Sequence, residues 1–177
     1  MASSPTLKSP ELSLVPFTSE FITARYIGWL NDAQLMQFSR QRFLTHTAET
    51  CLRFLQSFEN SPSYFWAIAS PDLGHIGNLT ANVDVHNQVA DLTIMVGEKN
   101  ARGKGLGLAA WKIAMHYLLN DAGYRKVTAG TMATNTPMIN IMQRSGMVED
   151  GCRARQFLYN GQEVDCVMYA KFASPSR

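Results

Sequence analysis

A chain of 177 residues, 46% hydrophobic and 17% charged, is long enough to bury a core and has an ordinary globular composition. Its net charge of +2 is too small to point to a nucleic-acid partner, and its basic residues form short pairs, Arg40 with Arg42 and Arg153 with Arg155, not tracts. Residues 1–11 carry no apolar signal segment, no apolar run reaches the length of a membrane span, and three cysteines, an odd number, fit a reducing compartment, so the expectation is a cytoplasmic protein with no membrane partner.

In chain order, a flexible head over residues 1–10 precedes a single domain over 11–177. Residues 12–17 predict a first strand, with Pro16 near its end. Thr18 or Ser19 is placed to cap a helix running to about Leu30, and residues 35–46 read as irregular. Thr47 caps a second helix, in which Cys51, Phe54, Leu55 and Phe58 follow helical spacing. Strands are predicted over 64–69 and 76–85, separated by Pro71-Asp72-Leu73-Gly74. After a turn near His86, a strand over 90–96 puts Leu92, Ile94 and Val96 on one face and Asp91, Thr93 and Met95 on the other. A buried helix over 104–120 is ended by Gly123, and a strand over 126–132 follows. A helix over 137–144 and a hairpin around Asn160-Gly161 complete the chain. That two-residue turn pairs Tyr159 with Gln162 and, by simple counting, Arg155 with Cys166, which leaves Cys152 and Cys166 out of register for a bridge. All three cysteines are expected free and packed. The order predicts an α+β fold with a mixed, largely antiparallel sheet of about seven strands flanked by helices.

The run Arg102-Gly103-Lys104-Gly105-Leu106-Gly107 lies between a strand and a helix. Three glycines in five positions let backbone N–H groups close around a small anion, and the helix aims its unpaired N–H groups at the same point. No Ser or Thr follows Lys104, so the run is not a Walker A loop, and no metal is expected. Gly105-Leu106-Gly107-Leu108-Ala109-Ala110 reads G-x-G-x-x-A, but residues 126–131 lack the acidic residue that a dinucleotide site needs.

Arg102-x-x-Gly105-x-Gly107 after a strand and opening a helix resembles the pyrophosphate loop of the GNAT superfamily of acetyl-CoA-dependent N-acetyltransferases. The likeness extends along nearly all the chain, through Trp29-Leu30-Asn31-Asp32, Ile76-Gly77-Asn78, residues 94–98, Asn135 and Ser145-Gly146-Met147, and is strongest to the RimJ/RimL-like branch. The resemblance implies acetyl-CoA as cosubstrate, held by residues 102–107, by the backbone of Met95 or Val96 as oxyanion donor, and by Asn135. It implies direct attack by a primary amine of a small molecule or a protein N-terminus, two strands that splay to admit the pantetheine arm, and a possible homodimer.

For the general base the resemblance leaves Asp91 and Glu98 as candidates, with His86 behind them. Met142 and Met138 stand where relatives carry a Tyr or a Ser able to protonate the leaving thiolate, and Met147 where they carry Phe, so no family acid transfers to this chain. An acyl-CoA-binding module without turnover is the alternative that this departure keeps open. Ser39, Arg40 and Arg42 are read as solvated or as contacts to an anionic part of the acceptor, and Asp165 as a family aspartate of structural character.

Overall fold

A computed structural model describes residues 4–174; residues 1–3 of the expected head and 175–177 of the expected domain lie outside it. Eight strands form one sheet in the order β1-β2-β3-β4-β5-β6-β8-β7. They are β1 (Leu7–Lys8), β2 (Ser13–Pro16), β3 (Tyr64–Ser70), β4 (Gly74–Asp84), β5 (Val89–Val96), β6 (Lys126–Met132), β7 (Val148–Tyr159) and β8 (Gln162–Phe172). All neighbours run antiparallel except β5 and β6. The expected fold class holds, with one strand more than predicted.

That extra strand lies in the segment expected to be a flexible head. Leu7 pairs with Leu14, the Trp66 indole donates to the Pro5 carbonyl at 2.8 Å, and the Phe65 amide donates to Ser4 Oγ at 2.9 Å. These bonds satisfy polar groups that the core would otherwise strand, which is why the head is tied down from Ser4.

The four helices are α1 (Ala24–Leu30), α2 (Ala48–Gln56), α3 (Leu106–His116) and α4 (Thr136–Arg144). The single helix expected from Thr18 to Leu30 is instead a 3-10 turn over Ser19–Phe21 followed by α1. Thr18 makes no side-chain cap, whereas Thr23 accepts from the Tyr26 amide and restarts the helix. Thr47 caps α2 as predicted, with Thr50 returning a bond to the Thr47 amide. Helix α3 gives way after His116 to a π-helical turn over Tyr117–Asp121, and Gly123, at φ +77°, closes it.

Strand alternation sorts side chains onto two faces of the sheet. One face carries Leu14, Trp66, Leu79, Ala81, Leu92 and Val127, packed with Trp111, Leu118 and Met142, all buried. The other carries Phe17, Phe65, Ala67 and Met95 against Tyr26, Trp29 and Cys51. The Cβ position of Gly107 lies 3.3 Å from Val96 Cγ2, so α3 approaches β5 closely there.

The hairpin register departs from simple counting. Tyr159 pairs with Gln162 as expected, but an irregularity between Arg153 and Phe157 slides the ladder, so that Arg153, not Arg155, lies opposite Cys166. Arg155 takes φ +52°, and Asp165 Oδ1 accepts its amide at 2.7 Å, which pins the bulge and gives Asp165 a structural role. Cys152 then pairs with Val167, on the opposite face from Cys166. All three cysteines are free; Cys51 and Cys166 are buried, while Cys152 is exposed and not packed as expected.

Candidate active site

The site begins where two parallel strands part. β5 and β6 pair only at Val89–Lys126, Ala90–Val127 and Asp91–Thr128, and beyond that rung each continues without the other. On its far side β5 remains paired with β4 through Val96, and Gly97 donates to Ile76 O, so Asp91, Thr93 and Met95 direct their main-chain polar groups toward β4. The alternation leaves the amides of Ile94 and Val96 facing the opening. Of the two expected oxyanion donors, Val96 therefore has its N–H on the open side and Met95 does not.

Above the opening lies the glycine loop. Gly103 and Gly105 adopt φ +73° and +80°, with nothing near either Cβ position, so glycine is required by the backbone and not by crowding. Among the described residues, none of the amides of Gly103, Lys104, Gly105, Leu106 and Gly107 has a hydrogen-bond acceptor. Five consecutive open donors at the start of an eleven-residue helix form a nest suited to a pyrophosphate. The residues present thus fit the phosphate end of a coenzyme A.

The loop stands on a braced footing. Arg102 Nε donates to Val96 O at 3.2 Å and Nη2 to Gly97 O at 2.8 Å, tying the end of β5 to the loop. Glu98 accepts from the Asn100 amide and lies 3.8 Å from Arg25, so its carboxylate is engaged in holding the turn over Lys99–Ala101. Asn135 caps α4 by accepting from Met138 N and donates to Thr131 Oγ1 at 2.9 Å, joining α4 to β6.

Asp91 lies at the fork itself. Burial raises its carboxyl above the ordinary carboxylate value, and a 2.7 Å hydrogen bond donated by the Thr128 hydroxyl to Oδ1 pulls it partly back. Opposite Asp91 on β4 is Asn82, and beside them Thr93 and Gly130; these three are exposed although they lie on central strands. Met168 folds across Gly130, where its sulfur would meet any Cβ. In sheet order this exposed stretch lies between β2 and β3, whose residues pack with α1 and α2, and the β8–β7 pair.

The segment 35–46 joins the hairpin wall. Arg42 donates to Ser39 O and Leu158 O and lies over the Phe43 ring, while Tyr159 donates to Gln37 Oε1 at 2.8 Å and its ring lies tilted 5.6 Å from that of Phe38. Ser39 accepts from the Gln41 amide as a cap, and Arg40 is exposed. His86 is an exposed turn residue. Met142 is fully buried and Met147 nearly so, as packing residues.

Two residues at this site had gone unmarked. Thr128 meets Asp91 across 37 positions of sequence, a juxtaposition set by sheet register. His75 lies among Phe17, Phe21, Tyr26 and Trp29, with ring centres 4.9 to 6.0 Å away, and burial drives its pKa down to about 4. Trp29 in turn fills the space a side chain on Gly97 would need.

Residues 11–148 match the family model of the acetyltransferase (GNAT) domain. The human alpha/beta-tubulin-N-acetyltransferase 9 is 25% identical over 150 residues, which cover 78% of this chain and 72% of that protein. Among solved structures, the ribosomal L7/L12 alpha-N-protein acetyltransferase RimL in complex with coenzyme A superposes with a TM-score of 0.84 at 17% identity, over 96% of this chain and 98% of that one. The microcin C7 self-immunity acetyltransferase MccE, in complex with acetyl-CoA and AMP, gives 0.77 at 17% identity, over 93% of each chain.

Proposed function

Because this chain belongs to the GNAT acetyltransferase family, we propose that it transfers the acetyl group of acetyl-CoA to an amino group at the end of a polypeptide. The observation that carries the acceptor class is the bare floor: Asn82, Thr93 and Gly130 are exposed in the middle of an eight-stranded sheet. Pockets for small molecules enclose most of the ligand surface, whereas an open trough admits an extended chain. The relative named for tubulin supports a protein acceptor, and the structural neighbour named as an alpha-N-protein acetyltransferase supports a chain end.

In this reading the amides of residues 103–107 hold the pyrophosphate, Arg102 keeps the loop seated on β5, and Asn135 holds the start of α4 beside the opening. Acetyl-CoA, once bound, supplies the acyl carbon: the amine lone pair forms the N–C bond as the C–S bond opens and the electron pair departs on sulfur. Asp91 takes one proton of the acceptor ammonium before attack and later releases it to solvent, a role its upward-shifted carboxyl suits, while the second proton that nitrogen loses as the amide forms passes through solvent to the departing thiolate. Val96 N–H faces the opening, placed to stabilise negative charge on the carbonyl oxygen. Glu98, engaged by Asn100 and Arg25, is a structural carboxylate. No side-chain acid is needed at Met142, since a thiolate is a tolerable leaving group and solvent can protonate it.

A release assay for free thiol, run with acetyl-CoA and a panel of acceptors, tests the proposal. Peptides with free α-amines should exceed polyamines, amino sugars and amino acids by at least tenfold in kcat/KM, about 1.4 kcal/mol in transition-state stabilisation. A small amine as best substrate would overturn the acceptor class. Tight acetyl-CoA binding with no thiol release from any amine would restore the binding-module reading.

A further inference from the structure

The general base named above leaves open which of its two oxygens receives the proton and what keeps the carboxylate aimed. Asp91 and Thr128 form the last paired rung before β5 and β6 diverge, so the carboxylate stands at the vertex of the opening. The Thr128 hydroxyl donates to Oδ1 at 2.7 Å. Thr128 is β-branched, which restricts its side-chain torsion in a strand, and on its other side it faces Ala170, which offers no competing side-chain acceptor.

We propose that Thr128 is a positioning residue: its hydroxyl clamps Oδ1 of Asp91 at the fork and leaves Oδ2 as the atom that takes the proton from the acceptor amine. The inference rests on Asp91 being the base. The charged and titratable groups on this face are Asp84 at the end of β4, Lys126 of β6 held 2.6 Å from Asp150 of β7, Arg153 of β7 and the Cys166 thiol of β8. Among the described residues none of these bonds to Asp91; burial sets the upward shift of its carboxyl, and Thr128 is the side chain that hydrogen-bonds it, fixing its orientation and opposing that shift.

The sign follows from the donor. A hydroxyl bonded to a carboxylate favours the ionised form, so its loss makes Asp91 harder to ionise and moves the acidic limb of the rate profile upward. Thr128→Val keeps the shape and removes the hydroxyl; Thr128→Ser keeps the hydroxyl. With the full chain, acetyl-CoA and a synthetic peptide bearing a free α-amine, Thr128→Val should raise the acidic limb of kcat/KM by about one pH unit and lower kcat about tenfold. Acetyl-CoA affinity by calorimetry should not change, and Thr128→Ser should restore the wild-type limb.

Carbon-13 NMR titration of the Asp91 carboxyl, in wild type and in Thr128→Val or, if that folds poorly, Thr128→Ala, reads the same change without turnover. An unmoved limb and an unmoved carboxyl titration in the variant would overturn the inference while leaving Asp91 as base. Full activity of Asp91→Asn would remove the base reading itself, and this inference with it.

Discussion

The two ends of β5 are built from different materials. At the loop end, the free polar groups are main-chain N–H groups: five open amides from Gly103 to Gly107, with two backbone conformations that glycine alone adopts readily and an arginine bonded only to carbonyls. At the fork end, they are side chains: a half-buried carboxylate, the hydroxyl beside it and the exposed Asn82 and Thr93. A main-chain site recognises what every member of a family shares, because it depends on conformation and tolerates changes of side chain. A side-chain site is where one chain is set apart from another. In the function proposed above, binding of the cosubstrate and choice of acceptor would then change independently.

Substitutions can separate the two ends. The largest effect is expected at the fork: Asp91→Asn should lower kcat by about 10²- to 10⁴-fold with acetyl-CoA affinity unchanged, and Glu98→Gln should cost far less. Because the Asp91 carboxyl is raised in the folded protein, the stabilisation linked to it is present at low pH and lost as the pH climbs through its folded value, so Asp91→Asn should not lower Tm at pH 7. A reversed ranking of the two variants in steady-state kinetics would move the base to Glu98.

At the loop, Gly105→Val should weaken acetyl-CoA binding at least tenfold by calorimetry, about 1.4 kcal/mol, since a β-branched residue resists φ +80°. The turnover of bound complex at saturation should fall much less. Equal losses in affinity and in saturated turnover would show that the two ends are coupled.

The smallest effect concerns the aromatic cluster beside the loop end of β5. His75 has its folded pKa near 4 against an ordinary value of 6.5, so the neutral ring is stable above 6.5 and folding free energy is lost as the pH falls from 6.5 toward 4. With allowance for partial solvent screening the loss is about 1–2 kcal/mol. His75→Phe should flatten the decline of Tm over that window in scanning calorimetry, and a parallel decline in the variant would place the acid sensitivity elsewhere.

The same division governs what could be read from residues alone. Glycine spacing, a following apolar helix and a preceding alternating strand are local signals, so the loop was legible, as were the strand over 126–132 and the Thr47 cap. The cap at Thr23 was missed because Thr18, Ser19 and Thr23 are all able caps, and burial of Phe21 and Ile22 against the second core cluster selects among them. The bulge at Arg155 was illegible because a counted hairpin assumes no extra residue. Its anchor, Asp165, lies on the partner strand. Thr128 was invisible for the same reason, since only the parallel register of β5 with β6 brings it to Asp91. The head at residues 4–10 is held by Trp66 and Phe65, which bond to residues 61 positions away.

Trp29 gives the footing an optical handle. Its indole abuts Gly97, next to the carbonyl that Arg102 grips, and the Arg25 guanidinium lies 5.3 Å from its ring centre while facing Glu98. Trp66 and Trp111 are fully enclosed in the other core cluster. Trp29, which is less deeply buried than either, borders the base of the glycine loop through Gly97. A ligand that moves that loop is expected to change the field and the quenching around this fluorophore, which would make intrinsic emission a label-free readout of loop occupancy.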